Sequence, residues 1–357
     1  MISFEGSSDK RARELERRMI LSLYLSRLNS CGVMPPQETG LTVNSWYGKS
    51  HLEMHFWHQA YLPLWGRGEL LKPSLKWYKE ILPKAKENAA RNGYRGAKWP
   101  KMVGPEGVDS PSEIATLLVW QQPHILYLLE LLYRTESSPD SLLEEYWEVV
   151  FETAEYLADF PVFDAEKDCY DLVAPLIPAQ ECHKPMDTKN PVYEVEYWRF
   201  GLKIAIVWAK RMGKQAPAKW REVCDKMAKP AVRNGVYPAH ENCPDTFTRF
   251  AKDHPSMTAA SGVLPGERID RGIMRNTLQE VEKSWDYGSM WGWDFAMMAM
   301  SYARLFDGEN AVNTLLSDTP KNSYGINGHN IQPGRRDLPV YLPGNGSFLL
   351  ALALMAA

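Results

Sequence analysis

The sequence predicts an all-α protein, an (α/α)6 toroid in which six helical hairpins form one barrel across residues 1–357. Two observations carry this expectation. Twelve segments show helical apolar spacing or helix-start signals, whereas strand signals are nearly absent, the best being a short GVYPAH at 235–240. The segments also alternate in character. Odd ones are amphipathic and charged, and several even ones are apolar on every side, so six outer helices alternate with six buried inner ones.

The elements follow in order. Helices are expected at 9–29 (DKRARELERRMILSLYLSRL), 50–65, and 69–92 (LKWYKEILPKAKENAARN). Ser110, Pro111 and Glu113 make a capping-box start for 111–134, whose body EIATLLVWQQPHILYLLELL is almost wholly apolar. A segment at 139–159 precedes Asn190 and Pro191, a cap followed by proline at the first helical position of 191–213. The remaining helices are expected at 217–228, 255–263, 269–285 (RGIMRNTLQEVEKSW), 292–306, 308–318 and 345–357.

An apolar content of 45% suffices for a large core. The net charge of −3 and the lack of a basic stripe argue against a nucleic-acid partner. The tail FLLALALMAA falls far short of the ~20 residues of a membrane span. The charged start lacks an apolar signal region, so the chain as given is expected in the cytoplasm, or in the periplasm or outside the cell if it is a piece of a longer protein. Five widely spaced cysteines without a CxxC indicate neither a disulfide scaffold nor a cysteine zinc site. Oligomeric state is left open.

In a toroid with parallel inner helices, the inner N-termini share one face, and the conspicuous residues collect there. Lys49, His51 and Glu53 stand at the second helix and Glu113 at the fourth. Glu181 lies in the loop before the sixth, Asp253 and His254 precede the eighth, Trp291, Trp293 and Asp294 open the tenth, and Gly344, Asn345 and Gly346 open the twelfth. Helix N-termini around one cleft favour anions and developing negative charge.

Six stretches in order, HLEMHFW at 51, GYRGAKWP at 93, PAQECH at 178, DHPSMTAASGVLPG at 253, WGWDFAMMAMSYARLFDGENAVNTLL at 291 and PGNGSFLLALALMAA at 343, resemble six-hairpin glycosidases, closest to glycoside hydrolase families 95 and 65. The resemblance implies an inverting hydrolase of oligo- or polysaccharides, without a cofactor, in which Glu181 of QECH is the general acid and Glu53 bonds the sugar. One departure affects the general base, because Pro343 stands where family 95 has an aspartate before Gly-Asn. Both families usually carry an N-terminal β-sandwich, so this chain would be the barrel alone.

Inverting hydrolysis needs one protonated and one ionised carboxyl on opposite sides of the scissile bond. Glu181 follows the apolar run LVAPLIPA, where burial raises a carboxyl pKa. For the base, Asp337 is the one carboxylate in the loop before the last helix, flanked by Arg335 and Arg336, with Asp294 and Glu53 as competitors. Substrate contacts are expected from Lys49, His51, Glu53 and Trp57, with Phe56 and Leu62 packing outward, and from Arg95, Lys98 and Trp99 on the rim. Gln122, His183, His254, Trp291, Trp293, His329 and Asn345 complete the set. Two other classes remain open: a sugar-binding barrel that has lost its base at Pro343, and a metal-dependent enzyme using His51 and His55, which are i, i+4. No metal is expected, because HLEMH is not HExxH and no spacing elsewhere completes a site.

Overall fold

In a computed structural model, which describes residues 2–110 and 112–356, the chain forms an (α/α)6 barrel. Its helices are α1 (Ala12–Ser30), α2 (Leu52–Gln59), α3 (Tyr61–Leu64), α4 (Lys72–Glu80), α5 (Leu82–Arg91), α6 (His124–Thr135) and α7 (Asp140–Asp159). They continue with α8 (Val192–Arg211), α9 (Ala218–Lys226), α10 (Arg271–Ser284), α11 (Gly292–Arg304), α12 (Gly308–Leu315) and α13 (Leu342–Ala356). The inner ring runs α2, α6, α8, a 3-10 turn at Ser256–Ala260, α11 and α13, and closes because α13 packs back on α2. Outside it, α1 lies on α13, α5 on α7, α9 on α8, α10 on the 3-10 turn and α12 on α11.

Three expectations change. The helix placed at 111–134 begins at His124; Glu113 is exposed in a run of turns, and Pro111 lies outside the described residues. The segment at 255–263 is only the short 3-10 turn, because the next residues turn back in a Ser261–Pro265 bridge, and Gly262 packs so closely on Ser301 that a Cβ would clash. The strand expected at 235–240 reduces to isolated bridges at Val236 and His240, whereas two short antiparallel ladders form instead: β1 (Ser50–His51) with β2 (Met102–Val103), far apart in sequence, and the hairpin of β3 (Val162–Asp164) with β4 (Cys169–Asp171).

An aromatic column fills the barrel axis. Trp293 stacks on Trp57 at 4.9 Å and on Trp120 at 5.7 Å between ring centres, and Trp120 meets His124 edge-on at 4.8 Å. Such pairs add to the area that each ring removes from water. Trp57 is therefore core and does not line a cleft, and Phe56, expected outward, packs inward on His124 and Tyr127.

Buried histidines close the polar gaps between helices. His55 binds Tyr78 at 3.1 Å, Gln59 at 2.9 Å and Ser74 at 3.0 Å, facing α4. His124 donates through Nε2 to the Glu53 carbonyl at 3.0 Å, which leaves Nδ1 to accept from the Tyr197 hydroxyl at 2.8 Å. Burial pushes His55 down to about 4 and His124 to about 3. Both are neutral when folded and gain a proton in the unfolded chain below pH ~6.5. Their stabilising contribution is therefore complete above pH ~6.5 and lost as pH falls towards 4 and 3. Urea unfolding should show stability dropping across that window, less steeply in His55→Gln. A pH-independent midpoint between 7 and 4 would contradict the neutral assignment.

Candidate active site

At one end of the barrel, loops and inner-helix starts bring together Glu38, His51, Glu53, Lys101, Glu181, Asp253, His254 and Asp294. The centre is Lys101, whose ammonium lies 3.2 Å from Glu53 and pairs with Glu181. Burial alone would lower the Lys101 pKa, but the two carboxylates reverse this and raise it, so the ammonium stays charged. The Lys101 carbonyl also accepts from the Leu52 N–H at 2.9 Å, next to the β1–β2 ladder. One residue thus holds the start of α2 by backbone and by side chain.

Glu53 is buried, while a quarter of the Glu181 side chain remains open. Burial raises both carboxyls, opposed by Lys101. A raised carboxyl near solvent is what a general acid needs. Next to Glu181, Asp253 sits at φ +63, in the left-handed region. It is fixed there by its N–H to the Ser289 hydroxyl (2.8 Å) and its carbonyl to the Trp285 indole (2.7 Å). Non-glycine residues held in this region concentrate at functional sites.

His254 donates through Nδ1 to Asp294 at 2.8 Å, faces Asp253 across 3.5 Å and stacks on Trp293 at 4.1 Å. Burial would lower its pKa, but Asp294 and Asp253 raise it to about 9, so it is an imidazolium at neutral pH. The second Asp294 oxygen accepts the Trp291 N–H at 2.8 Å at the start of α11. Fully buried and with each oxygen bonded to a protein donor, Asp294 orients His254 and is closed to solvent.

His51 lies between two acids, with Nδ1 at 3.6 Å from Glu53 and 4.0 Å from Glu38. Burial lowers it to about 4 against the pull of Glu38, so it is neutral. The buried Glu38 carboxyl accepts the Trp46 indole N–H and is raised by burial. Its carbonyl accepts from Leu342 N at 2.9 Å, which puts Glu38 beside Pro343. Over this end, Arg335 spans the rings of Trp46 (5.2 Å) and Trp291 (5.5 Å), and both indoles are half-buried.

Of the residues singled out from sequence, His51, Glu53, Glu181, His254, Trp291, Trp293 and Asp294 meet here. Lys49 is half-buried at the loop before α2. The others lie elsewhere. Arg95 is exposed and paired with Asp159 and Glu155 on the outer helix α7, so it is not on the rim. Trp99 is core, bonding Thr153 at 3.0 Å, Gln122 clamps the Trp99 backbone from both amide atoms, and Lys98 donates to the Thr116 carbonyl. Asn345 ties α13 to Asn330, Gly328 and Ser22. His329 is buried in that same 323–341 loop, its ring nitrogens without partners among the described residues. Asp337 is exposed in a forked pair with Arg335 (2.9 and 2.6 Å), which lowers its pKa and weakens it as a base. His51 and His55 do not form a metal pair: the helix starts at Leu52, His51 is extended, and His55 faces α4. Glu38, Lys101 and Trp46 were missed because the first two sit in loops and Trp46 opens a short 3-10 turn, none with a local pattern.

Comparison with known proteins gives the class of fold first. The chain is similar to a solved glycosidase, with TM-score 0.68 and 14% identity over 98% of this chain and 99% of that one. A variant of that glycosidase in complex with glucose aligns with TM-score 0.69. A putative kojibiose phosphorylase from the human microbiome has TM-score 0.69 and 10% identity, covering 90% of this chain and 51% of that chain. These likenesses establish the six-hairpin (α/α)6 fold. In sequence, the chain is 26% identical over 212 residues to protein-glucosylgalactosylhydroxylysine glucosidase of Gallus gallus, a match covering 56% of this chain. The chain spans only about a quarter (26%) of that relative's length. No protein-family profile matches the sequence.

Removing Lys101 leaves the buried Glu53 and the partly open Glu181 without their cation. Lys101→Met should lower stability by roughly 3–5 kcal/mol in urea titrations, as for one partner of a buried ion pair. Glu53→Gln in the same chain should recover part of the loss. An unchanged midpoint for the single variant would contradict the central role of this ammonium.

Proposed function

We propose that the chain is a glycoside hydrolase acting by inversion, with Glu181 as general acid and Glu38 as general base. The observation that carries this reading is the group of Glu53, Lys101, Glu181, Asp253 and His254 at one end of an (α/α)6 barrel. Glu181 combines a raised pKa with partial exposure, so it can meet a leaving-group oxygen. Glu53 and the His254 imidazolium suit sugar hydroxyls and developing charge, and Trp291 offers a partly open ring face to a pyranose.

The base is the point on which the sequence departs from its resemblance. Asp294 is occupied, Glu53 is tied to Lys101, and Asp337 is exposed and ion-paired. Glu38 stands across His51 from the Glu53–Lys101–Glu181 group and beside Pro343. A carboxylate delivered from the loop after α1 replaces the one missing from the loop before α13. Inversion requires about 6.5–9.5 Å between the two carboxyls, room for one water. Among the similar proteins are a glucosidase and a glycosidase solved with glucose, which makes glucosides the first substrates to try.

A panel of aryl and natural glucosides tests the reading. Glu181→Gln should cut turnover of unactivated substrates roughly 10²–10⁴-fold, the usual contribution of placed proton transfer, and that of activated aryl glycosides much less. Glu38→Gln should slow both kinds alike, because water must be activated whichever group leaves. Equal losses in Glu181→Gln on both substrate types, or full activity in Glu38→Gln, would overturn the assignments. Sugar binding without turnover in the wild type would identify a binding barrel instead.

A further inference from the structure

We propose that His183, His240 and Cys243 form a binding site for a zinc-class divalent ion, separate from the acid cluster and independent of the glycosidase reading. All three are buried, and their donor atoms lie within 4.8 Å of one another. They come from two loops. His183 follows Glu181 by two residues before α8, and His240 and Cys243 lie in the connection between α9 and the Ser256–Ala260 turn.

The donor geometry is that of shared ligation. His183 Nδ1 and His240 Nε2 stand 3.2 Å apart. Two imidazole ligands of a tetrahedral zinc, each at ~2.0–2.1 Å, are separated by about 3.3 Å. In a straight N–H···N bond the ring centres would be about 5.5 Å apart. Here they are 4.6 Å apart with planes at 84°, so the rings fold about the contact and leave a common side to a third donor. Cys243 supplies it, and Asp245 Oδ1 lies 3.6 Å from the Cys243 sulfur, within reach of a fourth position. The three residues border a cavity of about 580 Å³, so an ion can enter from solvent and a water can complete the shell.

Two imidazoles and a thiolate are the donors preferred by zinc over magnesium or calcium. On binding, Cys243 gives its thiol proton to solvent as the metal–sulfur bond forms. The ion would staple the loop bearing Glu181 to the loop that leads to Asp253.

The test is metal analysis of the whole chain, purified, stripped with chelator and titrated with zinc or cobalt(II). One equivalent should bind, raise the melting temperature and, with cobalt, give a thiolate-to-metal charge-transfer band. Cys243→Ser should abolish the band, and His240→Ala should weaken binding by more than about 100-fold while helicity is unchanged. As a check that needs no variant, zinc should protect Cys243 of the wild type from alkylation mapped by mass spectrometry. Binding below about half an equivalent, or zinc-insensitive alkylation of Cys243, would overturn the proposal.

Discussion

The structure depends on one buried cation. Lys101 is nearly inaccessible, and a lone ammonium in such a place would lose its proton or unfold its surroundings. It stays charged because Glu53 and Glu181 reach it from two separate segments, the first turn of α2 and the loop before α8. The same residue bonds the backbone of Leu52, so both its main chain and its side chain hold the start of α2. Three stretches far apart in sequence are thereby forced to meet at one end of the barrel.

Around that cation the acids differ in environment. Asp294 is fully buried, bonds His254 through one oxygen and the Trp291 N–H through the other, and holds His254 charged, whereas Glu181 is partly open. What differs between the two glutamates is access and partners: Glu181 is partly open and paired with Lys101, whereas Glu38 is buried and accepts from the Trp46 indole. Pro343, which seemed to remove the base, coincides with a backbone bond from Leu342 to Glu38. A function tied to one sequence position in the resemblance is thus open to a neighbour in space.

Much of this was legible in the residues. Of the segments apolar on every side, FLLALALMAA forms an inner helix, as does the second half of EIATLLVWQQPHILYLLELL, while its first half is a run of turns. Glu181, His254 and Asp294 were found because they lie at inner-helix starts or in the preceding loops. What failed was local inference at loops. A capping signal at Ser110 was outweighed by tertiary packing of 112–123, and the i, i+4 spacing of His51 and His55 lost its meaning because the helix begins after His51. Trp57 and Trp99 carry no mark separating core from rim, since an indole suits both. Lys101 gains its role from contacts with Glu53 and Glu181, distant in sequence, and Glu38 from Trp46 and His51 nearby and Leu342 far along the chain, which no short pattern encodes.

The central claim is that the Lys101-centred cluster receives a sugar. Calorimetric titration with 1-deoxynojirimycin, a sugar-shaped cation that mimics the charge of a glycosyl transition state, addresses it directly. The account predicts binding by the wild-type chain, a loss of more than tenfold in Glu53→Gln and in Glu181→Gln, and no change in Asp337→Asn. Affinity that survives both glutamate substitutions but falls with Asp337→Asn would contradict it.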